Sequence, residues 1–554
     1  MELRENKQKT KSLLISFVTD IFGIDCFFPD NGLASLASAL IVNGHKTKIL
    51  DFGTLEMRRR LNPPFLTKWN KKLFLEKDKR KRWTTNFVVN LQILLIKNIL
   101  RIIKWRYTNE VTKKLISKIN EEDIDFIGFK LWNGESFRKS CEMVKKIKRQ
   151  IPLIKIFGGG PAVDIAKDKI LKVFNDFDVL VRGEGEETIV QLAEYVVGQR
   201  NLEDIPNVIF EKNGEIVTTP IKRIENLDSL PLPVYDEDVY LSLNNNQKIK
   251  IIIVEDSRGC PYSCAFCGHS IKSGVKQRSK SPERIVKEIK YYLSRYNVDT
   301  FYFGGSNTPK RLIEKVSEKI VEENLKVKFC ILTDARSSGG NSFQKMKNAG
   351  GISVFFGIES GNQGILDKMK KGIRLEQIKK SVILAKKAGL FVSGSFIYPA
   401  PFDNDETKND TIKFISELAL DATNVLFPVI YPGIAWAEDA SSYNIEILMS
   451  KERFLEYIMF NLCSLYLGCP DKLPPLPYKI NGQDFKSLVK EWESMQKTLR
   501  EKGIKSVDPL YPLIAAKVNI PVDTLDHRIN KTLLNGDYRL LEDLIERINL
   551  GNRE

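Results

Sequence analysis

The sequence predicts an α/β protein: an N-terminal doubly wound parallel sheet, a second strand-rich region in the middle, and a mainly helical C-terminal region. Three observations predict it. From Ser12 to about Gln199, short apolar runs alternate with helical stretches, the pattern of an open parallel sheet. Glycines follow several of those runs, and parallel sheets bind ligands at the carboxyl ends of their strands. Beyond about residue 450 the periodicity is that of helices, interrupted by a loop at Pro470–Pro477. At 554 residues the chain exceeds one hydrophobic core, so two or three domains are expected.

The N-terminal runs are Leu13–Val18, Thr47–Leu50, Ile124–Phe129, Ile154–Phe157 and Val179–Val181. The first follows basic residues but is too short for a signal peptide and ends in Thr19-Asp20, so it reads as a strand. Between the first two runs lies a small-residue helix, Gly32–Leu40, ending at Asn43-Gly44. Gly158-Gly159-Gly160-Pro161 follows the fourth run, and Gly183-Glu184-Gly185-Glu186 the fifth. No G-x-G-x-x-G turn follows the first strand, which argues against a dinucleotide-binding sheet, the main rival. Residues 201–246 carry Pro206, Pro220, Pro231 and Pro233 and read as a linker with a hairpin at Asn213-Gly214. Internal repeats and low-complexity tracts are absent from the sequence.

Net charge is +16, and its location is informative. Between Arg58 and Lys114 there are 17 Lys/Arg against 3 Asp/Glu, nearly the whole excess. Lys68–Arg82 is a basic run broken by Leu73-Phe74-Leu75. Phe87–Lys104 is apolar, with Asn90, Lys97, Arg101 and Lys104 on one helical stripe. Two readings stand: a basic amphipathic helix at a membrane surface or facing an amphiphilic substrate, and a helix packed on the sheet with a solvated basic edge. Nucleic acid fits less well, because aromatic residues are thinly interleaved. The chain never has 18 uninterrupted apolar residues, so a membrane span is not expected. The expected location is cytoplasmic, with peripheral membrane contact through 58–114 left open. Of 8 Cys, Cys26, Cys141, Cys330, Cys463 and Cys469 show no pairing pattern, which suits a reducing compartment.

The other three cysteines carry the chemistry. Cys260, Cys264 and Cys267 stand in a C-x3-C-x2-C loop directly after the apolar run Ile251–Val254. Three thiolates leave one iron of a four-iron cluster open to a small molecule. A structural zinc site with His269 as fourth ligand is the alternative, and would make the chain a non-catalytic interaction protein. Downstream come three strand ends: Phe301–Phe303 running into Gly304-Gly305-Ser306, Val354–Gly357 running into Ile358-Glu359-Ser360-Gly361, and Gly394–Pro399.

With Phe266 before its last cysteine, this loop resembles the signature of the radical S-adenosylmethionine (SAM) superfamily, and the resemblance covers roughly residues 246–430. It implies a partial (β/α) barrel over 247–450 and a 4Fe-4S cluster on Cys260, Cys264 and Cys267. It also implies SAM contacts from Phe266, Gly304, Gly305, Ser306, Glu359, Ser360 and Ile397. Ser306 stands where the family most often has an acid. The helix, the Asn43-Gly44-His45 turn and the two glycine motifs resemble, in order, the cobalamin-binding domain that precedes some of these barrels. That implies cobalamin contacts from Gly158, Gly159, Gly160, Pro161, Gly183, Glu184, Gly185 and Glu186. The Asp-x-His-x-x-Gly that supplies an axial imidazole elsewhere is missing, and His45 reads as structural. The expected organisation is a cobalamin-binding-like domain over 1–200 with a basic insertion at 55–114, the linker, the barrel, and a helical region over 451–554.

The resemblance implies an enzyme that makes a 5′-deoxyadenosyl radical, draws electrons from a flavodoxin- or ferredoxin-type donor, and methylates an unactivated carbon. The substrate expected is a small molecule, with a slight tilt to a lipid or specialised metabolite. Cyclisation, oxidation or carbon–carbon coupling without methyl transfer is the alternative. Methylthiolation needs a second N-terminal cluster, and only Cys26 and Cys141 precede the motif. Asp334 and Arg336 are further candidates for polar contacts to SAM or substrate. The sequence singles out neither an acid nor a base.

Overall fold

The computed structural model describes residues 9–19, 23–79, 83–336, 341–462, 470 and 473–550. Arg80, Lys81 and Arg82 of the basic run, with Cys463 and Cys469, lie outside the described residues. All five N-terminal runs form strands: β1 (Lys11–Ser16), β2 (Lys46–Asp51), β3 (Phe126–Lys130), β4 (Lys155–Gly159) and β5 (Val179–Val181). They pair in parallel in the order β2-β1-β3-β4-β5. The hairpin at Asn213-Gly214 forms as β6 (Val208–Lys212) and β7 (Glu215–Thr218), and β6 adds antiparallel to β5. The linker's hairpin is therefore part of the first sheet. Alternation sends Leu13 and Ile15 into one core and Leu14 into the other, so both faces are covered. The small-residue helix, α1 (Asn31–Val42), starts where the Asp30 side chain accepts the Leu33 N–H at 3.0 Å.

The basic insertion is helical. After α2 (Leu55–Leu61), α3 (Pro64–Lys79) and α4 (Trp83–Glu121) form an antiparallel pair. With 39 residues, α4 is roughly 58 Å long at 1.5 Å per residue. Its second half sets Tyr107, Val111, Leu115 and Ile119 into the core beneath the first sheet. Among the described side chains of its first half, Ile93, Ile96 and Leu100 pack with Trp69 and Leu73 of α3 in a small separate cluster. After β3 the chain returns through α5 (Glu135–Gln150).

The second sheet contains β8 (Ile252–Val254), β11 (Thr300–Phe303), β12 (Lys328–Thr333), β13 (Gly351–Glu359), β14 (Phe391–Ile397) and β15 (Ala422–Leu426), in that spatial order and all parallel. A two-stranded ribbon, β9 (Ser257–Arg258) with β10 (Arg278–Ser279), stands beyond β8. Helices 282–296, 310–322, 342–348, 375–387 and 405–418 make the crossovers. Helices 451–461, 485–501, 511–518, 522–535 and 539–550 complete the chain, and helix 511–518 packs on β12 and β13.

The segment between the sheets straps them together. Buried Asp51, at the end of β2, accepts hydrogen bonds from Tyr240 Oη at 2.6 Å and from Lys248 Nζ at 2.5 Å. The last helix returns to the beginning: Asn549 Oδ1 accepts the Lys250 N–H at 2.7 Å, and Tyr538 Oη donates to Asn62 O at 2.8 Å. Among the described residues no helix is long and apolar enough to cross a membrane.

Candidate active site

The carboxyl ends of the two sheets face each other across a cleft of about 330 Å³. The first sheet contributes backbone. Gly158, Gly159 and Gly160 end β4, and Gly183 and Gly185 follow β5. Gly160 has φ +99°, a conformation that favours glycine, and delivers the chain into a helix opened by Pro161. Beside them Asp164 accepts the Gly183 N–H at 2.7 Å, and its burial pushes the carboxyl up to about 6. A floor of bare backbone suits a broad, flat ligand, so the residues present fit cobalamin. The imidazole that lines the same cleft, His269, comes from the second domain. His45 lies at the opposite end of the strands, its Nδ1 2.8 Å from Thr10 Oγ1, and so is structural.

The carboxylates of the glycine motif line the same cleft and bind the other domain. Glu184 makes a two-pronged pair with Arg278 at 3.0 and 2.5 Å and also accepts the Ile224 N–H at 2.8 Å. Glu186 pairs with Arg258 at 2.5 Å, and Glu255 shares that guanidinium at 2.7 Å. All four residues of the two pairs are buried. Arg258 and Arg278 are partners on the ribbon that leads into and out of the cysteine loop. The two pairs tie that loop to the first sheet.

The loop is held by backbone. Cys260 N–H donates to Gly274 O at 3.1 Å, Ala265 N–H to Met369 O at 2.9 Å, and Trp436 N–H to Ala265 O at 3.1 Å. Gly259 allows it: φ is +80°, and a β-carbon there would meet Lys276 O at 2.2 Å. Phe266 packs with Trp436, ring centroids 5.8 Å apart, in the apolar cluster that also holds Ile397. Burial raises the Cys264 thiol and pushes Cys267 up to about 11, so these thiols ionise readily only when a metal displaces the proton. Among the described residues no group of three or more His, Cys, Asp or Glu converges on a single-ion site. His269 instead lines the cleft towards the glycine floor, its pKa lowered by burial and then by Lys272. Three free thiols on one loop fit a four-iron cluster with one iron left open.

Two cations stand beside the thiols: Lys371, which the sequence reading missed, and Arg336, which it named as a candidate for polar contacts. Lys371 is buried and donates to Glu359 Oε1 at 2.9 Å; burial opposes its charge, but Glu359 and then Cys264 outweigh it and raise its pKa. Its Nζ lies 5.7 Å from the centre of the Phe266 ring. Glu359 reaches it from a left-handed φ of +74°, at an irregularity in the pairing of β13 with β14. Arg336 stacks over Tyr262 at 3.4 Å and bonds the carbonyls of Lys371 and Gly372. Asp334 holds Asn307 at 2.7 Å. At the end of β11, the Gly305 N–H donates to Asp256 Oδ1 at 2.9 Å. Burial pushes Asp256 up to about 6, so the acid at this strand end is Asp256, while Ser306 lines the cleft. Ser360 is buried against Thr411, 3.3 Å between hydroxyl oxygens.

The cleft continues past Gly32, Lys130, Trp132 and Gly304 into a chamber of about 1020 Å³. Lys130 forms a pair with Asp30 at 2.5 Å and lies 4.4 Å from the centre of the Trp132 ring. Ile253, Tyr302, Cys330, Leu332 and Phe355 form the barrel-side wall, and Asp25, Asp508 and Tyr511 also line the chamber.

Comparison with known proteins agrees with this arrangement. The profile of the Radical SAM superfamily matches residues 254–415, and that of the B12 binding domain matches residues 88–193. An uncharacterized methyltransferase of Pyrococcus horikoshii is 30% identical over 349 residues, 62% of this chain and 74% of that protein. An anaerobic magnesium-protoporphyrin IX monomethyl ester cyclase of Rubrivivax gelatinosus is 26% identical over 46% of this chain and 48% of its own. Among solved structures, the radical SAM methyltransferase TsrM of Kitasatospora setae, with cobalamin and a [4Fe-4S] cluster bound, superposes with a TM-score of 0.62. It has 13% identity and covers 97% of this chain and all of its own.

Proposed function

This chain belongs to the radical SAM superfamily, in the subgroup whose barrel follows a cobalamin-binding domain, and from that premise we propose that it methylates an unactivated carbon of a small molecule. The carrying observation is the cleft with the glycine floor on one side and, on the other, Arg258, His269, Lys272 and Ser273 from the segments that flank the cysteine loop, which opens into a chamber of about 1020 Å³. Bound there, the cluster and SAM supply a hydrogen-abstracting radical, and cobalamin carries the methyl group.

In this reading Cys260, Cys264 and Cys267 ligate the cluster. Lys371 and Arg336 offset the negative charge that three thiolates bring into a partly buried loop. Phe266 and Ile397 provide an apolar wall, and Gly304 and Gly305 let SAM approach backbone, with Ser306, Glu359 and Ser360 as polar contacts. Gly158, Gly159, Gly160, Pro161, Gly183 and Gly185 carry cobalamin. Glu184 and Glu186 serve it through position, by fixing the cysteine loop against the first sheet. The substrate enters the chamber, where Tyr302, Leu332 and Phe355 exclude water and the acids that line it favour a polar or cationic group. Electrons come from a flavodoxin- or ferredoxin-type donor.

Anaerobic reconstitution with iron, sulfide and hydroxocobalamin tests the reading. It predicts about four irons and about one cobalt per chain, and SAM-dependent formation of both 5′-deoxyadenosine and S-adenosylhomocysteine. Iron without cobalt would favour radical chemistry without methyl transfer, the reading that the likeness to the cyclase supports. Zinc in place of iron would overturn both.

A further inference from the structure

The long helix α4 is apolar on two opposite sides, and only one of them is covered. Ile93, Ile96 and Leu100 face α3. At about 100° per residue, Leu91, Leu94, Leu95, Ile102 and Trp105 share a stripe on the other side. They are 57%, 54%, 50%, 52% and 52% exposed. A helix that is apolar all round is ordinarily buried, and a contiguous apolar patch on a protein surface marks an interaction site.

The charges beside the stripe identify the partner. Arg101 and Arg106 flank it on either side, and Lys97 stands beyond Arg101. All three are exposed, and among the described residues none makes an ion pair. From Trp83 to Asn109 the helix has no Asp or Glu, and Lys104 is turned aside to Glu135 of α5 at 2.5 Å. We propose that this face docks on the surface of an anionic lipid bilayer. The apolar stripe enters the acyl boundary, and Lys97, Arg101 and Arg106 meet the headgroup phosphates.

A second copy of the chain is the poorer occupant. A two-fold contact would set the same uncompensated cations against one another, with no carboxylate on this stretch of helix to answer them. The helix lies on the bilayer rather than through it, since it is not apolar enough to cross. The proposal does not depend on the reaction catalysed.

Flotation of the full chain with vesicles tests it. The protein should float with vesicles of phosphatidylcholine mixed with phosphatidylglycerol, less as salt rises, and weakly with phosphatidylcholine alone. The double variant R101E/R106E should bind the mixed vesicles roughly tenfold more weakly or worse. The variant L94S/I102S should bind weakly at every salt concentration. Both lie on exposed positions, so iron content and melting temperature should match the parent. Failure of the parent to float with the mixed vesicles would overturn the proposal, as would unchanged flotation of both variants. So would a concentration-dependent dimer that L94S/I102S abolishes in a protein indifferent to lipid, which would assign the face to a second copy.

Discussion

The second domain's half of the site is built of side chains: three thiols, Lys371 with Glu359, and Arg336 stacked on Tyr262. The half built by the first sheet is centred on backbone, with five glycines at the ends of β4 and β5 among the side chains of Leu33, Leu36, Lys130 and Trp132. Its two strongest side chains, Glu184 and Glu186, have been given to the neighbouring domain. The difference teaches how each half fails. A wall of ligating atoms fails when an atom is removed, and a wall of bare backbone fails when one is added.

The largest expected effect is on the side-chain wall. Cys264→Ala should lose most of its iron and sulfide and all detectable 5′-deoxyadenosine formation while retaining cobalamin, read by metal analysis and the corrinoid spectrum. A variant that kept both its iron and its activity would remove Cys264 from the ligand set. Next comes the tie between the walls. Glu184→Gln leaves Arg278 buried with only carbonyl partners, Ile224 O and Ser273 O, and should cost about 3 kcal/mol of stability in chemical denaturation. An unchanged denaturation midpoint would mean that the domains are held elsewhere.

On the backbone wall, Gly159→Leu should keep its iron and weaken cobalamin binding by roughly tenfold to a hundredfold. A β-carbon at this position meets Val181 O at an ordinary 3.4 Å, so the fold should tolerate it. Equal affinity for parent and variant would move cobalamin off this floor.

The smallest effect is in the chamber. Burial first, then repulsion from Asp25 and Asp526, pushes the Asp508 carboxyl up to about 7. An acid whose pKa rises on folding stabilises the protein below its unfolded value of about 4, and that contribution is lost as pH climbs through the folded value. Asp508→Asn should therefore gain stability over the parent, on the order of 1 kcal/mol, above about pH 7, and gain none near pH 4. Melting temperatures across that range would show it, and parallel curves would refute it.

The two walls also differ in how far the sequence betrays them. The thiols are legible because ligation needs fixed spacing within eight residues, Cys260 to Cys267. The glycines are legible because each follows an apolar run, although strand edges move by one or two residues: the first ends at Ser16 rather than Val18. The ties escape. Glu186 and Arg258 are 72 residues apart, and no period links them. In the sequence Glu184 and Glu186 look like ligands, because nothing local says that their charges are answered from the other domain. Lys371 escapes for a related reason: it is one of three lysines from Lys368 to Lys371, and only the turn beneath β13 decides which is buried. In α4 the composition announced a basic amphipathic segment, while the division into a half that joins the core and a half that does not depends on where the sheet ends.

The return of the last helix to the first domain has a consequence for biosynthesis. Translation delivers the glycine floor first, the cysteine loop next, and only at the end Tyr538 and Asn549, which fasten helix 539–550 to Asn62, Lys248 and Lys250. Tyr511 and Asp526, which complete the chamber wall, also emerge late. A nascent chain therefore holds its chamber open while the ribosome finishes the C-terminal helices. Bulky cofactors have their widest access during synthesis, and a chain cut short before residue 511 would leave that access permanently open.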